Sequence, residues 1–180
     1  TDGSGAGDDA TNLLANERGV AVFNKALLTR IGSDDADALA NRNLIVASPG
    51  GIGVANYTDN SHLRNNLIGT DRSGNSARAT GTGVAIGGDS NTVQGNVIGA
   101  AQHGIDISNE SDWNRLQGNR IGVGADGSSP VAGSGHGVFI RNAGNINQSF
   151  PRYTAVGGTG AGEGNTIAHW GGNGIRLERD

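Results

Sequence analysis

Three six-residue strings in the second half of the chain place imidazole, carboxylate, guanidinium and aromatic side chains at matching positions. They are His103-Gly104-Ile105-Asp106-Ile107-Ser108, His136-Gly137-Val138-Phe139-Ile140-Arg141 and Asn173-Gly174-Ile175-Arg176-Leu177-Glu178. Laid side by side, they gather His103, Asp106, His136, Arg141 and Arg176, with Ser108 and Glu178 at the margin and Phe139 as a surface for stacking a sugar ring. Asp106, His136, Arg141 and Arg176 are the candidate catalytic residues; His103, Asp106, Phe139, Arg141 and Arg176 are the candidate ligand contacts. Glycoside hydrolysis needs two carboxylates flanking the scissile bond. Only Asp106 stands in the central column of the strings, so non-catalytic contact with a polar polymer is the favoured reading and an enzyme the alternative.

The strings can gather only as adjacent strands. Each alternates apolar and variable positions, the period of a strand with one buried face. The tetrad glycine, apolar, variable, apolar occurs six times, as Gly19-Val20-Ala21-Val22, Gly51-Ile52-Gly53-Val54, Gly83-Val84-Ala85-Ile86, Gly104-Ile105-Asp106-Ile107, Gly137-Val138-Phe139-Ile140 and Gly174-Ile175-Arg176-Leu177. Its outward positions read Ala21, Gly53, Ala85, Asp106, Phe139 and Arg176. A second column, asparagine, variable, apolar, interleaves with it at Asn12, Asn43, Asn66, Asn96, Asn119 and Asn165. A third, weaker strand is predicted three residues before the asparagine, at Leu63, Val93 and Leu116, with Ile31-Gly32 and Val156-Gly157 on this side of the two longest repeats. The shortest repeat runs 21 residues, from Val84 to Ile105.

Three short strands per repeat, joined by glycine and asparagine turns, predict an all-β parallel β-helix of about five coils, with residues 1–180 as a single domain. This accounts for a composition that would starve an ordinary core. Hydrophobic residues are 34% of the chain, against about 45–50% in typical domains, and 33 glycines accompany 20 asparagines. A solenoid interior is narrow and needs few apolar residues per coil. Asparagine suits the corners because it tolerates left-handed backbone and its amide bonds neighbouring backbone; stacked coil on coil, the amides can form a ladder.

Several function classes fall away on composition. Thirteen scattered basic residues, a net charge of −4 and a pI near 5.5 give no electrostatic footprint for nucleic acid. No apolar run approaches the 18 or so residues of a membrane helix, so no membrane insertion is expected. The absence of cysteine removes disulfide frameworks and thiolate metal sites.

The pieces Gly95 to Gly99, Gly118 to Gly122, Ile68 to Gly74 and Gly104 to Ile107 resemble the right-handed parallel β-helix repeat of the pectin-lyase-like superfamily, in particular the asparagine-rich repeats of bacterial extracellular and cell-surface proteins. The resemblance spans about residues 4 to 178. It implies a secreted or cell-surface location and a polysaccharide or cell-surface component as partner. A lyase of this superfamily would carry calcium-binding carboxylates and a basic residue as proton acceptor; the carboxylate cage is missing around Asp106. Gly135-His136-Gly137 resembles an element of polygalacturonases, without the paired aspartates that accompany it.

Acidic turns at Asp8-Asp9, Asp34-Asp35-Ala36-Asp37, Asp71 and Asp126 are the only candidates for calcium, which needs six to eight oxygens; solvated turns and no resident metal are the expectation. The histidines His62, His103, His136 and His169 share no metal-ligand spacing. Insertions at Gly69 to Gly81 and Gly122 to Gly133 leave the same corner and are predicted to lie side by side as a ridge, and the longer excursions near Asn24 to Arg42 and Arg141 to Glu163 leave another corner. Gly3 to Asn12 match Gly158 to Asn165, so the chain is expected to be a piece of a longer solenoid with uncapped ends, and head-to-tail self-association is the partner mode that open ends would favour.

Overall fold

The structure, a computed structural model, describes residues 16–23, 26, 28–34, 41–47, 49–78, 80–100, 102–142 and 149–179. Asn12, Asp8-Asp9, Asp35 and Asp37 lie outside them. Among the described residues, sixteen strands follow one another in threes. The first coil holds β1 (Arg18–Val22), β2 (Arg30–Gly32) and β3 (Leu44–Ile45); the second β4 (Ile52–Asn56), β5 (His62–Arg64) and β6 (Leu67–Ile68); the third β7 (Thr82–Ile86), β8 (Thr92–Gln94) and β9 (Val97–Ile98). The fourth holds β10 (His103–Ser108), β11 (Arg115–Gln117) and β12 (Arg120–Ile121), the fifth β13 (His136–Arg141), β14 (Ala155–Val156) and β15 (Thr166–Ile167), and β16 (Ile175–Glu178) opens a sixth. Every third strand pairs in parallel, giving sheet 1 (β1-β4-β7-β10-β13-β16), sheet 2 (β2-β5-β8-β11-β14) and sheet 3 (β3-β6-β9-β12-β15). The fold is a right-handed parallel β-helix of five full coils. Ile31 and Val156 lie in sheet 2, as their spacing predicts.

The interior is one aliphatic strip, with Val54, Val84, Ile105 and Val138 from sheet 1, Leu63, Val93 and Leu116 from sheet 2, and Ile45, Ile68, Ile98 and Ile121 from sheet 3. Burying each such side chain contributes roughly 1.5–3 kcal/mol. Leu67 and Val97, on the other face of sheet 3, are buried as well. Ile175 and Leu177 of β16 are exposed.

The asparagines between sheets 2 and 3 form a continuous ladder. Asn43 Nδ2 donates to Asn66 Oδ1 at 3.0 Å, Asn66 to Asn96 at 2.9 Å, Asn96 to Asn119 at 3.0 Å and Asn119 to Asn165 at 3.0 Å. Each amide oxygen from Asn96 onward also accepts the backbone N–H of the asparagine one coil back. Each Nδ2 from Asn66 onward also donates to a sheet 2 carbonyl, those of Ile31, Leu63, Val93 and Leu116. A shorter ladder of Ser61, Asn91 and Asn114 closes the corner between sheets 1 and 2.

Register departs from the expected one at β4. Val54, not Ile52, pairs with Val20 and Val84, so the tetrad is Gly53-Val54-Ala55-Asn56. A slip of two residues keeps the same face inward, so alternation alone does not separate the two registers. The glycine does. A Cβ at Gly53 would lie 2.6 Å from Ile68 Cγ2 and 2.6 Å from Gly83 O, and Gly83, Gly104 and Gly137 meet the same two neighbours. Only a residue without Cβ passes between the sheet 3 isoleucine and the next coil. Asn56 therefore takes an inward position, where it is buried and its amide closes on Thr58.

Substituting Gly104 with alanine drives a methyl to 2.4 Å from Ile121 Cγ2 and is expected to destabilise the fold by about 2–3 kcal/mol, as overpacking does. Asn96→Ala leaves buried partners unsatisfied on both sides and should cost roughly 3 kcal/mol, whereas Asn43→Ala, at the exposed first rung among the described residues, should cost under about 1 kcal/mol. Urea unfolding of the three variants checks this; equal losses at Asn96 and Asn43 would contradict the ladder's role.

Candidate functional site

Sheet 1 brings the three chemically rich strings together as their alignment predicts. His103 pairs with His136, Asp106 with Phe139 and Ser108 with Arg141, and one coil on Phe139 pairs with Arg176 and Arg141 with Glu178. The first half of the column is blank, because Ala21, Ala55 and Ala85 occupy the positions before Asp106. Here the β4 slip replaces the expected Gly53 with Ala55 and brings Tyr57 over Gly87, stacked on Phe23 at 5.2 Å. The sequence reading missed Tyr57 for that reason.

Within the cluster the charges are matched. Arg141 donates to both oxygens of Asp106, Nη2 to Oδ2 at 2.8 Å and Nε to Oδ1 at 3.3 Å, and Arg176 pairs with Glu178. Phe139 sits at the centre, with the Arg141 guanidinium 5.0 Å and the Arg176 guanidinium 5.7 Å from its ring centroid. The rings of His103 and His136 lie 4.9 Å and 5.1 Å away. Phe139 is 7% exposed, so it anchors the cluster and offers a ligand no open ring face. Its neighbours form the accessible surface.

The two imidazoles stack at 5.4 Å. His136 N–H donates to Nδ1 of His103 at 3.3 Å, and Asn173 N–H donates to Nδ1 of His136 at 2.9 Å. In the neutral form both rings therefore carry their proton on Nε2. The Arg176 Nη1 to His136 Nε2 approach of 3.4 Å is then a contact between two donors. Burial lowers the pKa of His103; Asp106 opposes the shift, and the charges of His136, Arg141 and Arg176 add to it.

The two insertions form the predicted ridge. Thr70 bridges Ala77 and Val123 bridges Pro130 within their own hairpins. Between hairpins, Ala125 N–H donates to Gly74 O at 3.1 Å and Asp126 N–H to Asn75 Oδ1 at 2.9 Å. Each aspartate is spent inside its own turn. Asp71 accepts from the Ser73 hydroxyl and the amides of Asn75 and Ser76; burial would raise its pKa, but these bonds hold it below the usual value. Asp126 is lowered to about 2, first by the Ser129 hydroxyl and amide and then by the Ser128 amide. Asp34 is shared by Arg30 and Arg64. Among the described residues no group of three or more metal-ligating side chains gathers.

Sheet 2 and its corners carry a second set of polar and aromatic side chains. Arg64 of this sheet, together with Arg42 and Arg120, lines a groove at the corner with sheet 3, where burial and then the Arg120 charge lower the pKa of Arg42. At the corner with sheet 1, the residue two places before each sheet 2 strand takes left-handed backbone, at Leu28, Asn60, Ser90, Trp113 and Tyr153, with φ between 55° and 61°, and the fourth coil adds Asn109 and Glu110. Trp113 and Tyr153 stack at 4.1 Å and are exposed. Spacing to Asn91, Asn114 and Thr154 marks this column, although no residue type does. The second tryptophan, Trp170, packs on the core and donates its indole N–H to Ile121 O at 3.2 Å. His62 lies on β5, and His169 is exposed.

Two pH dependences follow. Because the folded pKa of His103 lies below 6.5, the unfolded chain takes up protons that the folded site resists, so stability is full above that value and falls as pH drops through it. Unfolding free energy measured from pH 8 to 5.5 should decline, and His103→Gln should flatten the decline. The contribution of Asp126 is present above its ordinary value of 3.8 and is lost as pH falls toward about 2. Amide exchange at Ser128 and Ser129 should rise in that window while the coil amides stay protected.

Compared with known proteins, the chain matches no family model, no curated protein and no solved structure.

Proposed function

We propose that this chain is a non-catalytic, extracellular structural or adhesive module that contacts polysaccharide along the coil axis. The observation carrying this reading is the bidentate Arg141–Asp106 pair. It engages both oxygens of the one carboxylate in the outward column, and the other carboxylate of the cluster, Glu178, is paired with Arg176. Two carboxylates available to a glycosidic bond are what hydrolysis requires. The likeness of the repeat to the pectin-lyase-like superfamily supports a secreted or cell-surface location and a glycan partner. Imidazole and guanidinium groups held on successive coils suit a regular polymer, because coils recur about every 4.8 Å.

One observation favours the second reading, a fragment of a polysaccharide lyase, hydrolase or epimerase. His136 and Arg141 flank Phe139 in the same cluster as Asp106, a set of side chains with the chemistry to move protons. A glycan array followed by a product assay on pectate and alginate separates the two readings. Retention of acidic glycans without new reducing or unsaturated ends is expected. Product formation abolished by Asp106→Ala and His136→Ala would overturn the non-catalytic reading.

A further inference from the structure

The corner between sheets 1 and 2 repeats one backbone conformation through five coils, at Leu28, Asn60, Ser90, Trp113 and Tyr153, and the last two are its only adjacent bulky residues. Asn60 and Ser90, with φ of 55° and 56°, are residues that adopt left-handed backbone readily or are small. Trp113 and Tyr153, with φ of 61° and 57°, are bulky residues for which that conformation is strained. Burial does not compensate, since Trp113 is 57% and Tyr153 63% exposed. Two adjacent strained positions that gain little from the core are a mark of a surface kept for contact.

The pair is also held rigidly. Trp113 N–H donates to Arg152 O at 3.0 Å, Arg152 N–H donates to Asp112 Oδ1 at 2.7 Å, and the Arg152 guanidinium clasps Asp112 Oδ2. Tyr153 covers one face of the indole at an interplanar angle of 14°. The next rung on the other side is Ser90, and no ring stacks on that face among the described residues. A concavity lined by Ser90, Thr92, Trp113, Arg115, Tyr153 and Ala155 opens there. Arg115 makes no ion pair among the described residues, whereas Arg30 and Arg64 of the same sheet share Asp34.

We propose that the open face of Trp113, above Ser90, is a subsite for a sugar ring bearing an anionic substituent. The ring takes the next place in the aromatic stack, its hydroxyls meet Ser90 and Thr92, and its anion meets Arg115. A flat apolar face edged by hydroxyls and one cation matches that chemistry: C–H groups below, polar groups at the rim, one negative charge. The ligand class rests on the polysaccharide reading above; the location does not.

The test uses the full chain with three probes of equal length: an oligogalacturonate, a sulfated oligosaccharide and a neutral one. Trp113→Asn and Tyr153→Asn remove each ring yet suit the backbone, as Asn60 does naturally. Calorimetry should show Trp113→Asn weakening the anionic probes at least about tenfold, the loss typical of an aromatic anchor, with a Tm equal to or above that of the native chain. Tyr153→Asn should weaken them less, and Arg115→Gln should abolish the preference for anionic over neutral probes. The carboxylate and sulfate arms identify which anion fits. Unchanged binding in Trp113→Asn would overturn the subsite and leave the polysaccharide reading standing, whereas no binding of any probe to the native chain would overturn both. A large fall in Tm in both asparagine variants would assign the ring pair a structural role instead.

Discussion

Buried amides that both donate and accept along the coil axis hold the register of the whole solenoid. An asparagine side chain has a donor and an acceptor a fixed distance apart, so one rung satisfies the next and can still bond the sheet 2 carbonyl beside it. Asn66, Asn96 and Asn119 are buried and do this in full. Displacing any coil by one residue would leave several amide groups unpaired in the interior, at about 1–3 kcal/mol each. Aliphatic contacts alone would tolerate such slippage, because Val, Ile and Leu pack in many registers.

Once the amides fix sheet 3 against sheet 2, the corner leading into sheet 1 becomes narrow. Ile68, Ile98, Ile121 and Ile167 turn their Cγ2 atoms toward the strand glycines of sheet 1, at 2.4–2.6 Å from where a Cβ would stand. The glycine is thus a consequence of the ladder and the isoleucine together. The same tightness explains why few apolar residues suffice: each coil contributes a few fully buried aliphatics to a strip whose opposite walls already touch.

This dependence also sets what could be read from the sequence. Columns of glycine, aliphatic and asparagine are periodic in residue type, so the fold, the five coils, the sheet 2 positions of Ile31 and Val156, and the ridge of paired insertions were all legible. So was the gathering of His103, Asp106, His136, Arg141 and Arg176 on one face. At β4 two glycines compete, and residue type alone favoured Gly51 over Gly53; the deciding fact, which glycine faces Ile68 Cγ2, is three-dimensional. Burial of Phe139 was hidden because part of its cover, His103 and Arg176, comes from the coils on either side. The Trp113–Tyr153 pair was hidden because its two members are 40 residues apart and share only a sign of φ.

The surface changes along the axis in a way the interior does not. On sheet 1 the outward column passes from Ala21, Ala55 and Ala85 to Asp106, Phe139 and Arg176. On the neighbouring corner the left-handed column passes from Leu28, Asn60 and Ser90 to the stacked pair Trp113 and Tyr153. Both changes fall between the third and fourth coils, although the two columns have no residue in common. Core, glycine and amide columns cross the same boundary unaltered. Because each rung is pinned from inside, an outer position can take a charged, aromatic or strained residue without moving its neighbours. Strain of about 1–3 kcal/mol at such a site is then carried by the coil's own hydrogen bonds, here those between Arg152, Asp112 and Trp113. The invariant lattice inside is what lets the outer surface vary on coils four and five.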